Sequence, residues 1–394
     1  MVEQPGFGTR CVHAGDDPGR YFGAVSPPIF EASLFAFDDF DACLEGLTGG
    51  GDYYIYTRGR NPTVEIAEHK LAALEGGEAA KFFASGMAAI SAVVLSHVKQ
   101  GDHVLCVRSV YGVTHTLLTQ WLPRFGVSAS FVDGTDLAAI EASIQDNTRL
   151  IYLESPTSVL FQLQDLAAVA RIAKQRGILT AVDNSWASPI FQQPLALGID
   201  LSIHTASKYI GGHSDLVAGA VIGRKELIDR LRNNEYAILG GVIGPFEAWL
   251  CIRGMRTLPL RLKQHEASGL EIASWLENHP KVRRVMHPGL ASHPQHELAR
   301  RQMSGMGGLF SFELDADLDG IRRFVNALSL FHIGVSWGGF ESLVLPIGAV
   351  DAHKSQKTGT PGQEGLPLGL IRLFIGLEDA QDLRRDLEQA LERV

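Results

Sequence analysis

The chain has 394 residues, 45% hydrophobic and 20% charged, which places it among globular proteins and, at this length, implies two cores rather than one. A formal net charge of −9 with no long Lys/Arg run excludes a nucleic-acid or anionic-membrane partner held by bulk electrostatics, so its ligands are expected to be small molecules. Cys11, Cys43, Cys106 and Cys251 are scattered without C-x-x-C spacing, and no apolar run reaches membrane-spanning length. The start at Met1 lacks the basic and apolar regions of a signal peptide, and the expected location is a reducing cytoplasm.

Residues 1 to about 51 mix Gly, Pro and aromatics without sustained periodicity, which predicts an extended arm ordered by a neighbouring subunit. Helical and strand-like segments then alternate: helix Val64–Leu74, strand Ala80–Ala84, helix Met87–Val98, strand His103–Val107, helix Thr114–Phe125 and strand Ala129–Val132. Helix Leu137–Ile144, strand Leu150–Glu154, helix Leu166–Gln175 and strand Ile178–Asp183 continue the pattern. Such alternation predicts an α/β domain with a mostly parallel sheet. Helices around Lys225–Asn234 and Phe246–Asn278 follow, the second long enough to connect two domains. Strand Gly308–Leu314, helix Leu318–Leu328, strand Leu370–Ile375 and helix Ala380–Arg393 read as a smaller α+β domain, with Lys354–Pro367 a polar surface loop. The expected division is an arm at 1–55, a large domain at 56–250 and a small domain at 251–394.

The most informative stretch is Leu201-Ser-Ile-His-Thr-Ala-Ser-Lys208, followed by Tyr209-Ile-Gly-Gly-His-Ser-Asp215. An apolar run ending in hydroxyls and one lysine delivers an amine to a sheet edge, and glycines beyond it admit close approach. Desolvated there, Lys208 becomes a nucleophile and base of the kind that an aldehyde cofactor such as pyridoxal 5′-phosphate (PLP) requires; the alternative is a lysine pointing into water. Ser85, Gly86 and Met87 stand where a strand turns into an Ala-rich helix, a place that suits a phosphate, although Ser85 also reads as an ordinary N-cap. Asp183 ends a strand, where it can hold a pyridinium nitrogen protonated or cap Asn184–Trp186. Tyr111 is placed to stack on a planar ring or to bridge core and solvent. Tyr56 and Arg58 offer a hydroxyl and a guanidinium to a phosphate, or lie in a solvated loop. Arg372, flanked by apolar residues, needs an anion, either a substrate α-carboxylate or an internal salt bridge.

These motifs, in this order and across nearly the whole chain, resemble the PLP-dependent trans-sulfuration (Cys/Met metabolism) enzymes of fold type I. The resemblance implies a PLP-dependent transferase-like α/β fold with Lys208 as the PLP lysine, Asp183 at the pyridine nitrogen and Tyr111 on the ring. It implies a phosphate cup of Ser85, Gly86, Met87, Thr205 and Ser207, completed by Tyr56 and Arg58 of an adjacent subunit. Ser336 and Arg372 would hold the substrate carboxylate, in a homo-oligomer expected to be a tetramer. Ser336-Trp337-Gly338-Gly339 looks like the signature of bacterial cystathionine β-lyases, and Ser158 replaces the Asn that many relatives place on the PLP phenolic oxygen. Tyr56-Thr-Arg-Gly-Arg-Asn-Pro-Thr63, Gly244-Pro-Phe-Glu-Ala-Trp249 and Val335 look more like γ-lyases. The expected reaction is β-elimination of L-cystathionine to homocysteine, pyruvate and ammonia. The alternative is γ-elimination from cystathionine, methionine or an O-substituted homoserine such as canavanine.

Two other patterns point elsewhere. Gly334-Val-Ser336-Trp-Gly338 matches the hydrolase elbow G-x-S-x-G, a remote alternative that would make Ser336 a nucleophile and requires a helix after it. His287, His293 and His296 with Glu297 are interrupted by Pro288 and Pro294, so a solvated loop rather than a metal site is expected. No G-x-G-x-x-G follows a strand, so the signature of a nicotinamide dehydrogenase is missing.

Overall fold

In the computed structural model, which describes residues 5–358 and 365–394, the short apolar runs form two sheets. The larger contains β1 (Ala79–Phe83), β2 (His103–Val107), β3 (Ser128–Val132), β4 (Thr148–Glu154), β5 (Leu179–Asp183), β6 (Leu201–His204) and β7 (Gly219–Gly223), in the order β1-β7-β6-β5-β4-β2-β3. β7 is antiparallel to β1 and β6, and every other pair is parallel. The carboxyl ends of β1, β2, β4, β5 and β6 therefore share one edge, where open α/β sheets bind ligands. Both faces are covered: along β7, Val221 packs in one apolar cluster with Val93 and Leu227, while Ala220 and Ile222 pack in another with Leu71 and Ile252.

The second sheet has the order β10-β11-β12-β9-β8, from β8 (Val282–Met286), β9 (Leu309–Leu314), β10 (His332–Ile333), β11 (Leu343–Leu345) and β12 (Leu370–Phe374). It is antiparallel except for the β10–β11 pair. Phe324, Leu383 and Leu387 from helices Leu318–Ala327 and Ala380–Leu391 close its core with Ile272 and Leu276 from the far end of the long helix Pro245–Glu277. That helix carries apolar residues of both sheets' cores, so it links them. Trp186 and Tyr209 stitch the sheets together: the indole N–H donates to the Leu309 carbonyl at 2.9 Å, and the phenol oxygen accepts from the Gly308 N–H at 3.1 Å. Among the described residues no helix is long and apolar enough to cross a membrane.

Several expectations are corrected. The first 51 residues are not simply an extended arm: helices Phe7–His13 and Phe40–Leu47 form, and the first docks on its own chain. Cys11 is fully buried there, and Asp16 pairs with both Lys70 and Arg256 at 3.2 Å. The segment Thr114–Phe125 is broken into a short α-helix, a wider π-type turn and a 3₁₀ turn ending at Phe125; Pro123, which lacks an N–H, lies in the last. Lys354–Thr358 end the helix Ile347–Thr358, and 359–364 lie outside the described residues. The strand β7 had no sequence signal because burial on both faces removes alternation and its residues are mostly Gly and Ala. His287 and His293 are buried rather than solvated, and burial takes the His287 imidazole down to about 4.

Beneath the edge lies a polar cluster around Glu75, the last residue of helix Pro62–Glu75. Its carboxylate accepts from Ser202 Oγ at 2.5 Å and Asn184 Nδ2 at 3.0 Å, and it meets His204 Nε2 at 2.9 Å. These partners flank the carboxyl ends of β5 and β6, so one buried anion sets the spacing of the two strands that bear Asp183 and Lys208. Removing one partner of a buried pair costs about 3–5 kcal/mol. Glu75→Ala is accordingly expected to lower the unfolding free energy by about that amount, as read by urea denaturation; a loss under 1 kcal/mol would refute the role of this cluster.

Candidate active site

Lys208 sits four residues beyond β6, and a loop from the second sheet covers it. Gly338 has φ +88°, and a Cβ there would lie 2.6 Å from the Tyr209 nitrogen and 2.7 Å from the Lys208 carbonyl carbon, so only glycine allows this contact. The contact brings Ser336 and Trp337 over the lysine side chain. The amine donates a hydrogen bond to Ser336 Oγ, and Nζ lies 4.6 Å from the centroid of the Trp337 ring. Arg372, on β12, lies on the same indole at 5.6 Å. Ser336 itself has φ +91°, a strained conformation for a non-glycine residue.

Burial drives the Lys208 amine down to about 8, the Arg372 charge pushes the same way, and the Asp183 charge opposes both. Arg372 is 9% exposed, and burial takes its guanidinium down to about 10. It donates to the Ser158 carbonyl at 3.3 Å, and no carboxylate among the described residues lies within ion-pairing distance of it. The internal salt bridge is therefore not formed, and the site keeps an unneutralised cation.

Asp183 and Glu154 occupy matched positions at the ends of β5 and β4. Burial raises both carboxyls, Glu154 to about 7, with the Asp183 charge as the second cause for Glu154. Asp183 Oδ1 accepts from the Ser185 N–H at 3.0 Å and the Ser185 hydroxyl at 2.5 Å, and that hydroxyl accepts from the Thr205 N–H at 2.6 Å. The capping role is thus real, and it leaves Oδ2 without a hydrogen-bond partner among the described residues. Ser185, absent from the sequence reading, joins β5 to the segment before Lys208; the only signal was a serine two residues after a strand-end aspartate.

Ser85 is the N-cap of helix Gly86–His97, its hydroxyl accepting from the Ala88 N–H at 3.0 Å. A Cβ on Gly86 would collide with Thr205, so the helix start and Thr205 are in contact. The N–H groups of Gly86 and Met87 have no acceptor among the described residues. Ser207 Oγ is tied to Ala218, accepting from its N–H at 2.9 Å. Tyr111, 46% exposed as a residue, opens the helix Gly112–Thr116 after β2. Tyr56 and Arg58 are not brought to Lys208: Arg58 Nη1 donates to the Ala237 carbonyl at 2.5 Å, and its guanidinium lies 5.8 Å from the Tyr56 ring.

The hydrolase alternative is overturned, because the chain runs from Ser336 through Gly338 to β11 with no intervening helix. The arrangement instead offers a desolvated amine, a buried carboxylate, a helix start with free N–H groups and an unpaired guanidinium around one sheet edge. Those groups fit PLP and an amino acid: phosphate at the helix start, pyridinium at Asp183, aldehyde at Lys208 and carboxylate at Arg372.

The family model for Cys/Met metabolism PLP-dependent enzymes matches residues 8–392. The chain belongs to this family. PLP is therefore its cofactor. It is 41% identical over 391 residues to the L-methionine gamma-lyase of Pseudomonas putida, spanning 98% of this chain and 97% of that one. It is similarly 41% identical over 387 residues to the cystathionine gamma-lyase of Bacillus subtilis, covering 98% and 99%. Identity to the cystathionine beta-lyase of Coxiella burnetii is 40% over 386 residues, covering 97% of each.

The electrostatics of the amine are testable without the cofactor. In PLP-free protein, modification of Lys208 by an amine reagent should follow a midpoint near pH 8, well below the ordinary 10.5. Arg372→Leu removes a cation that disfavours protonation, so the midpoint should rise; an unchanged or lower midpoint would refute this account.

Proposed function

We propose that this chain is a PLP-dependent carbon–sulfur lyase that eliminates the β-substituent of L-cystathionine to give homocysteine, pyruvate and ammonia. PLP, when bound, supplies an electrophilic carbon for an amine and a ring that accepts the electrons of the Cα–H bond. Lys208 holds the cofactor until the substrate amine displaces it, and its freed amine then removes the Cα proton. An amine titrating near 8 is free base in about one molecule in ten at pH 7, compared with well under one in a thousand at its ordinary value. Asp183 would keep a proton on the pyridine nitrogen, and Tyr111 would serve the ring. Ser85, Gly86, Met87, Thr205 and Ser207 hold the phosphate. Ser336 and Arg372 take the substrate carboxylate, which supplies the anion that Arg372 lacks.

The observation that carries the regiochemistry is the Trp337 indole, 4.6 Å from the Lys208 amine and beside Arg372. β-Elimination asks the amine to serve one proton position, whereas γ-elimination asks it to serve Cα and then Cβ. An indole against Nζ and a hydroxyl bonded to it restrict the amine's travel, which favours the single position. The second reading, γ-elimination from cystathionine, methionine or an O-substituted homoserine such as canavanine, is favoured by the methionine and cystathionine gamma-lyases among the relatives. With L-cystathionine, pyruvate is the expected main keto acid and methionine should be turned over poorly. Predominant 2-oxobutyrate would reverse the assignment while leaving Lys208 and the cofactor in place.

Tyr56 and Arg58 are assigned to the phosphate cup of a neighbouring subunit, so the active unit is a homodimer or a tetramer of two such dimers. Within one chain Arg58 is turned to the Ala237 carbonyl and to the Tyr56 ring, which supports this, as do the exposed apolar side chains Phe22, Val25, Leu34 and Phe40 in the segment leading to them. Co-refolding inactive Arg58→Ala with inactive Lys208→Ala chains should restore part of the activity, because a hybrid dimer contains one intact site. No recovery in a verified hybrid would rule out sharing.

A further inference from the structure

Glu154 ends β4 in the middle of this site, and the reaction as derived gives it no task. It is buried, and both of its oxygens are engaged by backbone N–H groups: Oε2 accepts from Tyr111 at 2.7 Å and Oε1 from Ser158 at 2.8 Å. The two amides belong to different parts of the chain. Tyr111 opens the helix that follows β2, and Ser158 lies in the turn after β4. The Ser158 carbonyl in turn accepts from Arg372 Nη1 on the second sheet. The next carbonyl, that of Val159, accepts from Ser311 Oγ on β9 at 2.9 Å, so this turn is also where the two sheets meet.

We infer that Glu154 is a positioning residue whose single carboxylate sets the backbone of Tyr111 and, through the Ser158 turn, the guanidinium of Arg372. The inference rests on the roles proposed above for Tyr111 and Arg372. A carboxylate is needed because it alone among side chains of this length accepts at both ends. Glutamine presents one acceptor and an NH₂ group, which would face a backbone N–H. A buried anion is otherwise expensive to keep, and here no cation among the described residues lies within ion-pairing distance of it. Glu154 Oε1 and Oε2 also satisfy two donors that would be stranded without it.

The groups around the carboxyl are Asp183 on β5, Cys106 on β2, Tyr152 on β4, Arg372 on β12 and the Ser158 hydroxyl, with burial as the largest influence and Asp183 acting in the same direction. Burial and the Asp183 charge raise it to about 7, against the hydrogen bonds from Ser158 and Tyr111, which pull it down. Protonation converts one acceptor into an O–H, so as pH falls through that region one of the two amides loses its partner and the other is held by a neutral, weaker acceptor.

Two measurements test this. In Glu154→Gln holoenzyme with full PLP loading, the KM for L-cystathionine and the apparent Kd for glycine, read from the absorbance of bound PLP, should each rise at least fivefold. The kcat should fall by less, since Lys208 and Asp183 are untouched. A variant that is merely less heat-stable, with KM and glycine binding unchanged, overturns the inference. In wild-type holoenzyme, amide hydrogen exchange at Tyr111 and Ser158, corrected for its intrinsic pH dependence, should lose protection with one common midpoint as pH falls. Separate midpoints, or none, overturn it even if the variant fails to fold. Glycine binding and exchange need no elimination chemistry, so a wrong assignment of the reaction would appear only in the cystathionine arm.

Discussion

Lys208 and Arg372 are two cations on one indole, and no carboxylate among the described residues lies within ion-pairing distance of either. Burial disfavours the charge on each, and the Arg372 charge further disfavours that of Lys208; the guanidinium, at about 10, stays charged at neutral pH, while the amine moves to about 8 and becomes usable as a base. The same imbalance suits the substrate proposed above. In that reading an α-carboxylate beside Arg372 would gain a charge-assisted bond in a place that water reaches poorly. The chemistry of the amine and the affinity for the carboxylate are two consequences of one unneutralised charge.

What maintains that imbalance is backbone contact rather than side-chain attraction. The Ser336–Gly338 loop bears down on Lys208 because Gly338 has no Cβ, and its course forces Ser336 to φ +91°. A non-glycine residue in that conformation costs of order 1–3 kcal/mol, which the docking of the two sheets must offset. Trp186 and Tyr209, each hydrogen-bonded to the backbone around Gly308 and Leu309, anchor that docking, and the helix Pro245–Glu277 fixes the sheets' separation. On the other side of the strand ends, the Glu75 cluster holds β5 and β6 together. The reactive groups thus stand between two rigid constructions.

Much of this was legible from residues alone where chemistry and periodicity agreed. The strand end at Leu201-Ser-Ile-His204 and the lysine after it, the Ser85-Gly86 helix start and the aspartate closing β5 each combine an apolar run with a polar terminator, and each was placed within a residue or two. The parts that could not be read depend on distant contacts. β7 opens on glycine because a Cβ at Gly219 would collide with Ser85, a constraint set by a segment more than a hundred residues away. Helix Phe7–His13 packs against two other helices, and at seven residues it is too short for a periodic signal to stand out. Glu154 gave no signal beyond its place before Ser155-Pro156, since a carboxylate that serves two backbone amides leaves no side-chain pattern.

The division of labour between the sheets also explains why relatives named for different reactions resemble this chain almost equally, at 41%, 41% and 40% identity. Lys208, Asp183 and the Ser85 helix start all hang on the carboxyl edge of the larger sheet, whose spacing is fixed by buried strands. Trp337, Val335 and Ser336 hang on a loop between β10 and β11, the short edge of the smaller sheet, where Val335 is largely exposed. Changing one wall of a pocket shifts a transition-state preference by about 1–3 kcal/mol, enough to redirect elimination between Cβ and Cγ. In the proposed reading a few loop residues decide which elimination occurs while the rest of the chain supplies the common machinery, and overall identity follows the rest of the chain.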